Sequence, residues 1–111
     1  MRTYETVAII RQLNDRLRCQ GIGGLVVITQ GVKALGEIGV ANVMRSVMAF
    51  GAFTRDNDPH QEHDCATIDV DGRQIIWKID YYDKNLAHHS PDPTDPSVTE
   101  RVLTIMLAED Y

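Results

Sequence analysis

Over the first twenty positions Thr6, Ile9, Ile10, Leu13 and Leu17 fall on one stripe at helical spacing, with Val7 at its margin. Arg11, Asn14, Asp15 and Arg18 fill the other side. The pattern predicts a helix over residues 3–20. Thr3 serves as its N-cap, Glu5 complements the positive end of the dipole, and Gly21 is the stop. Periodicity then ceases: Leu25-Val26-Val27-Ile28-Thr29 is an unbroken β-branched run, the signature of a strand buried on both faces. A short turn over 32–36 leads to a second helical pattern over 37–50, with Val40, Val43, Met44 and Val47 facing inward.

Polar, proline-bearing sequence over 54–64 predicts a loop. Beyond it, residues 66–70 and 73–79 flank Asp71-Gly72, the dipeptide that a type I′ hairpin turn requires. That turn sets Ile68 opposite Ile75, Ala66 opposite Trp77 and Asp64 opposite Ile79 on one face. The other face pairs Thr67 with Ile76, Cys65 with Lys78 and His63 with Asp80. Residues 83–96 hold Pro91, Pro93 and Pro96 and predict a second long loop. Asp95-Pro96 and Ser97…Glu100 then resemble helix starts. A final helix follows from them, with Val98, Val102, Ile105 and Met106 on one stripe and Leu103 and Leu107 on a second.

The expected architecture is therefore α+β in the order α-β-α-β-β-α. It comprises a small, mainly antiparallel sheet of three strands, one of its pairs the β-hairpin, covered by about three helices. A chain of 111 residues suits a single domain spanning 1–111. With 43% hydrophobic and 24% charged residues, disorder and disulfide-scaffold classes are excluded. No apolar run is long enough for a signal peptide or a membrane span, and Cys19 and Cys65 fit no metal or redox spacing. A cytoplasmic protein with reduced thiols and no membrane contact is expected.

Charge sharpens the picture. The net charge of −5 argues against direct binding to a nucleic-acid backbone. It is also uneven: residues 1–54 carry six bases and three acids, residues 55–96 four bases and ten acids. The densest stretch is Asp56-Asn57-Asp58-Pro59-His60-Gln61-Glu62-His63-Asp64, which the hairpin brings beside Asp80-Tyr81-Tyr82-Asp83. Crowded carboxylates and imidazoles suit metal ligation, acid–base work or docking to a basic surface. Asp56-x-Asp58 lacks the glycine and closing glutamate of a calcium loop, and His60-x-x-His63 is not the i, i+4 pair of a zinc protease. The alternative is structural: Asp and Asn side chains closing turns, and His63 paired with Asp80 across the hairpin. Gly21-x-Gly23-Gly24 precedes a strand rather than a helix, so it reads as a helix stop and not a phosphate loop. Cys65 beside Lys78 is either a thiol of lowered pKa or a small half-buried filler.

Several stretches in order resemble one family. They are Gly31-Val32-x-Ala34-Leu35-Gly36, Phe53-Thr54-x-Asp56-Asn57-Asp58-Pro59, Glu62-His63-Asp64, Trp77-Lys78-Ile79-Asp80-Tyr81-Tyr82-Asp83, Ser90-Pro91-Asp92-Pro93 and Leu103-Thr104-Ile105-Met106-Leu107-Ala108-Glu109. Over nearly the whole chain the sequence is similar to small bacterial proteins grouped as domain of unknown function 3768. The resemblance implies genes carried on plasmids and other mobile elements, and it implies no activity, cofactor or catalytic residue.

Three functional expectations follow. The first is a protein-interaction module of a mobile element, an anti-defence factor such as a CRISPR inhibitor or nucleic-acid mimic. Its binding residues would be Asp56, Asn57, Asp58, Glu62, His63, Asp64, Asp80, Tyr82 and Asp83, its partner a protein, and it would need no cofactor. The second is a hydrolase dependent on a divalent metal, with Asp56, Asp58, His63 and Asp80 as ligands and Glu62 as base. The third is a homodimer with Leu103 and Leu107 at its seam.

Overall fold

A computed structural model describes residues 2–111. Helix α1 (Tyr4–Gln20) begins at a reciprocal cap: the Thr6 N–H donates to Thr3 Oγ1 at 3.2 Å, and the Thr3 N–H donates to Thr6 Oγ1 at 2.9 Å. It ends where Gly21 takes a left-handed φ of 69°. Strand β1 (Leu25–Ile28) follows, then a single helical turn α2 (Gln30–Lys33) and helix α3 (Gly36–Ala49). The hairpin is β2 (Cys65–Val70) and β3 (Arg73–Tyr82), and the last regular elements are β4 (Glu100–Leu107) and a 3-10 turn (Ala108–Asp110). Among the described residues no helix is long and apolar enough to cross a membrane.

The class is α+β with three helices, but the sheet differs from expectation. It has four strands in the order β1-β4-β3-β2 and is mixed, because β1 runs parallel to β4 while the other pairs are antiparallel. Asp71 and Gly72 take φ of 55° and 82°, and the expected register holds from Cys65↔Lys78 through Ile68↔Ile75.

The main correction lies at residues 97–107, where the structure has a loop end over 97–99 and the strand β4 over Glu100–Leu107 in place of the expected helix. Arg101, Leu103, Ile105 and Leu107 alternate inward, pairing with Tyr81, Ile79, Trp77 and Ile75 of β3. The apparent capping residues close a loop turn instead: Asp95 Oδ1 accepts from the Ser97 N–H at 2.9 Å and from the Ser97 hydroxyl at 2.7 Å. The Ser97 hydroxyl and N–H together hold the Asp95 carboxyl below its usual range. Leu103 and Leu107 are consequently buried in the core, and neither is free for a dimer seam.

All three helices cover one face of the sheet. Ile10 and Leu17 of α1, Val32 of α2 and Val43 and Val47 of α3 pack with Trp77, which is fully buried. The opposite face, carrying Ile76, Lys78, Asp80 and Tyr82 of β3 and Val102 and Thr104 of β4, has no helix over it. Strand β1 was expected to be buried on both faces; as an edge strand it leaves Leu25, Val26 and Val27 exposed. The buried face of α1 is also rotated from the expected stripe: Asn14 and Arg18 lie inside with Ile10 and Leu17, while Ile9 is exposed.

Candidate functional site

The irregular stretch between α3 and β2 is shaped by its own turns and by α1. Asn57 Oδ1 accepts the Thr54 N–H at 2.7 Å and its amide donates to the Ala52 carbonyl at 2.9 Å, so Asn57 closes a turn. Asp58 is buried, and its Oδ1 accepts the His63 N–H at 3.1 Å. His63, with a left-handed φ of 53°, turns its ring onto Phe53, with centroids 3.7 Å apart and planes 3° from parallel. Its Nδ1 lies 2.8 Å from Asp15 Oδ1 and its Nε2 3.6 Å from Asp58 Oδ2. Arg18 passes beneath, donating to the carbonyls of Val47 at 3.1 Å and Phe50 at 2.7 Å, and stacks over Phe53 and Trp77. The expected His63–Asp80 pair is absent: Asp80 pairs with Lys78 at 3.1 Å instead.

Glu62 enters a buried network that sequence reasoning missed. The Tyr81 hydroxyl donates to Glu62 Oε1 at 2.8 Å, and Arg2 forms an ion pair with Oε2. The Asn14 amide donates to Tyr81 Oη at 2.8 Å and to the Glu62 carbonyl at 3.0 Å. Arg101 Nε donates to Asn14 Oδ1 at 2.7 Å and its Nη2 to the Pro93 carbonyl at 2.6 Å, with the guanidinium over the Tyr81 ring. Burial pushes the Tyr81 phenol well above its ordinary range, with the Asn14 amide opposing and the Glu62 carboxylate adding to the rise. Burial also lowers the Arg101 pKa. The available signal was the alternation of Arg101 with Leu103, Ile105 and Leu107, which places an arginine on a core-facing strand position.

Asp64 is the expected residue left without such a partner. It is half-buried, forms no ion pair among the described residues, and lines three hollows of about 500, 460 and 310 Å³. Burial raises its pKa, Glu62 and Asp58 add to the rise, and its own backbone N–H and His60 oppose it. The largest hollow lies at the helix-free face, lined by Ile76, Lys78, Asp80 and Tyr111 among others. His60, Arg2 and His89 border the second. Tyr82 shares the helix-free face with Asp80, Asp56 is exposed, and Asp83 accepts the Ala87 N–H at 3.0 Å, a bond that lowers its pKa.

The structure thus brings Glu62, Asp64 and Asp80 around adjoining hollows. Asp56, Asp58, His63 and Asp80 do not converge, and among the described residues no group of three or more His, Cys, Asp or Glu is placed to hold a metal ion. Cys65 faces Lys78 as expected, but partial burial raises its pKa, with Asp64 and Asp58 adding to the rise. Of the two alternatives for Cys65, the lysine-lowered thiol is the one this direction opposes.

No curated protein and no solved structure matches the chain. Residues 28–110 match the family model described as "Protein of unknown function (DUF3768)", and the chain belongs to that family.

Proposed function

We propose that this protein is an interaction module that receives a lysine or arginine side chain of a protein partner at Asp64. One observation carries the reading: a carboxylate half withdrawn from water, among other carboxylates and with no cation paired to it. An arriving ammonium or guanidinium would relieve that repulsion and use the apolar wall of Ile76 and Tyr111 for its methylene stem. The acid excess between residues 55 and 96 would steer a basic surface toward the same end of the sheet. Nucleic-acid-binding proteins are the partner class with such surfaces, which suits an anti-defence factor of a mobile element. Strict phosphate mimicry has less support, because Asp58 and Glu62 are engaged inside the fold.

Titrating isotope-labelled protein with an oligo-arginine peptide tests the reading. The expected shifts centre on Asp64, Cys65, Ile79 and Asp80 and shrink at least tenfold in Asp64→Asn. Shifts scattered equally over Asp56, Asp83 and Glu109, and unchanged by that substitution, would refute it.

A further inference from the structure

The sheet has two edges, and they differ in chemistry. Beyond β2 the edge is flanked by acids, Asp64 and Asp71. Beyond β1 it carries none: no charged residue and no proline occurs from Ile22 to Gln30. Leu25, Val26 and Val27 are 45%, 38% and 44% exposed, and neighbouring Ile22 is 45% exposed. Three consecutive exposed aliphatic residues form an edge that, apart from its shortness, carries neither the charge nor the proline by which proteins blunt strand addition.

The backbone points the same way. The Thr29 N–H donates to the Ile105 carbonyl at 3.0 Å, so alternation turns the backbone groups of Leu25 and Val27 toward β4 and those of Val26 and Ile28 outward. We propose that β1 is a homodimer interface, to which a second copy of the chain adds its own β1 antiparallel about a two-fold axis at Val27. Val26 then exchanges both backbone hydrogen bonds with Ile28 of the second copy, and Val27 faces its own equivalent.

A second copy fits this edge for three reasons. The register is self-complementary, placing branched aliphatic residues opposite one another with no charge to repel or to select a different partner. The lengths match, since β1 has four residues, about 13 Å, between Gly24 and the start of α2. The acidic edge lies three strands away, about 14 Å, farther than the ~8 Å over which charges act at physiological salt. Those acids therefore do not oppose pairing here, and Asp110, beside Gly31, is the carboxylate that lies near the α2 end of β1. The inference is independent of the proposed function, which uses the other end of the sheet.

Sedimentation velocity over a concentration series tests it, with Val27→Lys and Val26→Pro as variants. The first places two lysines face to face; the second removes an outward N–H without touching the ladder to β4. Wild type is expected to approach twice 12.5 kDa by roughly 100 µM, and each folded variant to dimerise at least tenfold more weakly. In a Cys19→Ser, Cys65→Ser background, Val27→Cys should oxidise to a covalent dimer, because facing residues of this type have Cα atoms about 4.5 Å apart. Leu25→Cys, set opposite Thr29 of the second copy, should crosslink at least tenfold more slowly. A wild type that stays monomeric, a dimer that persists in both folded variants, or growth past the dimer without a plateau would each overturn the proposal. Should Val26→Pro fail to fold, Val27→Lys and the cysteine pair decide the matter.

Discussion

Asn14→Ala should be among the most damaging single substitutions in this protein, although it removes only one small polar side chain. Asn14 is fully buried and makes three hydrogen bonds, to Tyr81 Oη, the Glu62 carbonyl and Arg101 Nε. Two neutral bonds contribute about 1 kcal/mol each, and stranding a buried charged donor costs about 1.5–3 kcal/mol more. The expected loss is roughly 3–5 kcal/mol, against a total of about 5–15 kcal/mol for a domain of this size. With a urea m-value of about 1–1.5 kcal/mol/M, the midpoint should fall by about 3 M without a change in m. Arg101→Met should cost a similar amount, because it strands Asn14 Oδ1 and the Pro93 carbonyl. In the double variant neither orphan faces the other, so the combined loss should fall short of additivity by about 2 kcal/mol. A midpoint within 1 M of wild type for Asn14→Ala, or additivity within about 0.5 kcal/mol, would refute the claim that these side chains form one unit.

Three further outcomes are expected. Asp64 has a raised folded-state pKa, so the folded protein holds its proton more tightly than the unfolded chain does. Stability is therefore lost as pH rises from the ordinary carboxylate value of 3.8 through the raised one, and Asp64→Asn should melt higher than wild type at pH 7 and no higher at pH 3. Equal melting temperatures at pH 7 would contradict this. Cys65, its thiol pKa raised, should react with a disulfide reagent at pH 8 more slowly than a free cysteine, and faster once Asp64 is made Asn; a wild-type rate above that of the free thiol would show the opposite environment. Gly24→Ala should lose about 2–3 kcal/mol, since a Cβ there meets the Arg101 carbonyl oxygen and comes within 3.0 Å of Leu17 Cδ2. Gly21→Ala, which meets nothing but carries φ 69°, should lose only about 1 kcal/mol, and a reversed order in urea midpoints would discredit the packing argument.

Local signals were read correctly where local chemistry decides the outcome. Thr3 and Gly21 bound the first helix, and Asp71-Gly72 determines the register of every β2–β3 pair. The reading failed at residues 97–107, where two periods coexist. Val98, Val102, Ile105 and Met106 are spaced for a helix, whereas Arg101, Leu103, Ile105 and Leu107 alternate as in a strand. Only the slot between β1 and β3 selects the second, and that slot is non-local information. The same limit applies to α1. Asn14 and Arg18 lie at i+4 and i+8 from Ile10, on the inner face, but their polarity reads as solvent exposure until the carbonyls and hydroxyl that hydrogen-bond to them are placed. The clustering of acids over residues 56–64 is legible in the sequence, while its division into internally engaged Asp58 and Glu62 and unpaired Asp64 depends on folding.

That division has a single structural origin. Residues 51–64 contain no helix or strand, yet they position the carboxylates on which the proposed site depends. Their order comes from the inward-turned polar residues of α1. Arg11 donates to the Gln61 carbonyl at 3.0 Å, Asn14 to the Glu62 carbonyl, Asp15 holds the His63 ring, and Arg18 gathers the carbonyls that end α3. Four side chains on successive turns of one helix face thus replace the backbone ladder this segment lacks, and each bond reaches a backbone or ring atom that no change of loop sequence at Asp56, Pro59 or His60 would remove. A binding surface on an irregular loop is effective only if its groups are held before the partner arrives, because ordering them on contact would cost affinity. The buried polar face of α1 is therefore the device that makes Asp64 a fixed charge rather than a mobile one. By that reasoning, substitutions at Asn14 should weaken cation binding at Asp64 even where the protein remains folded.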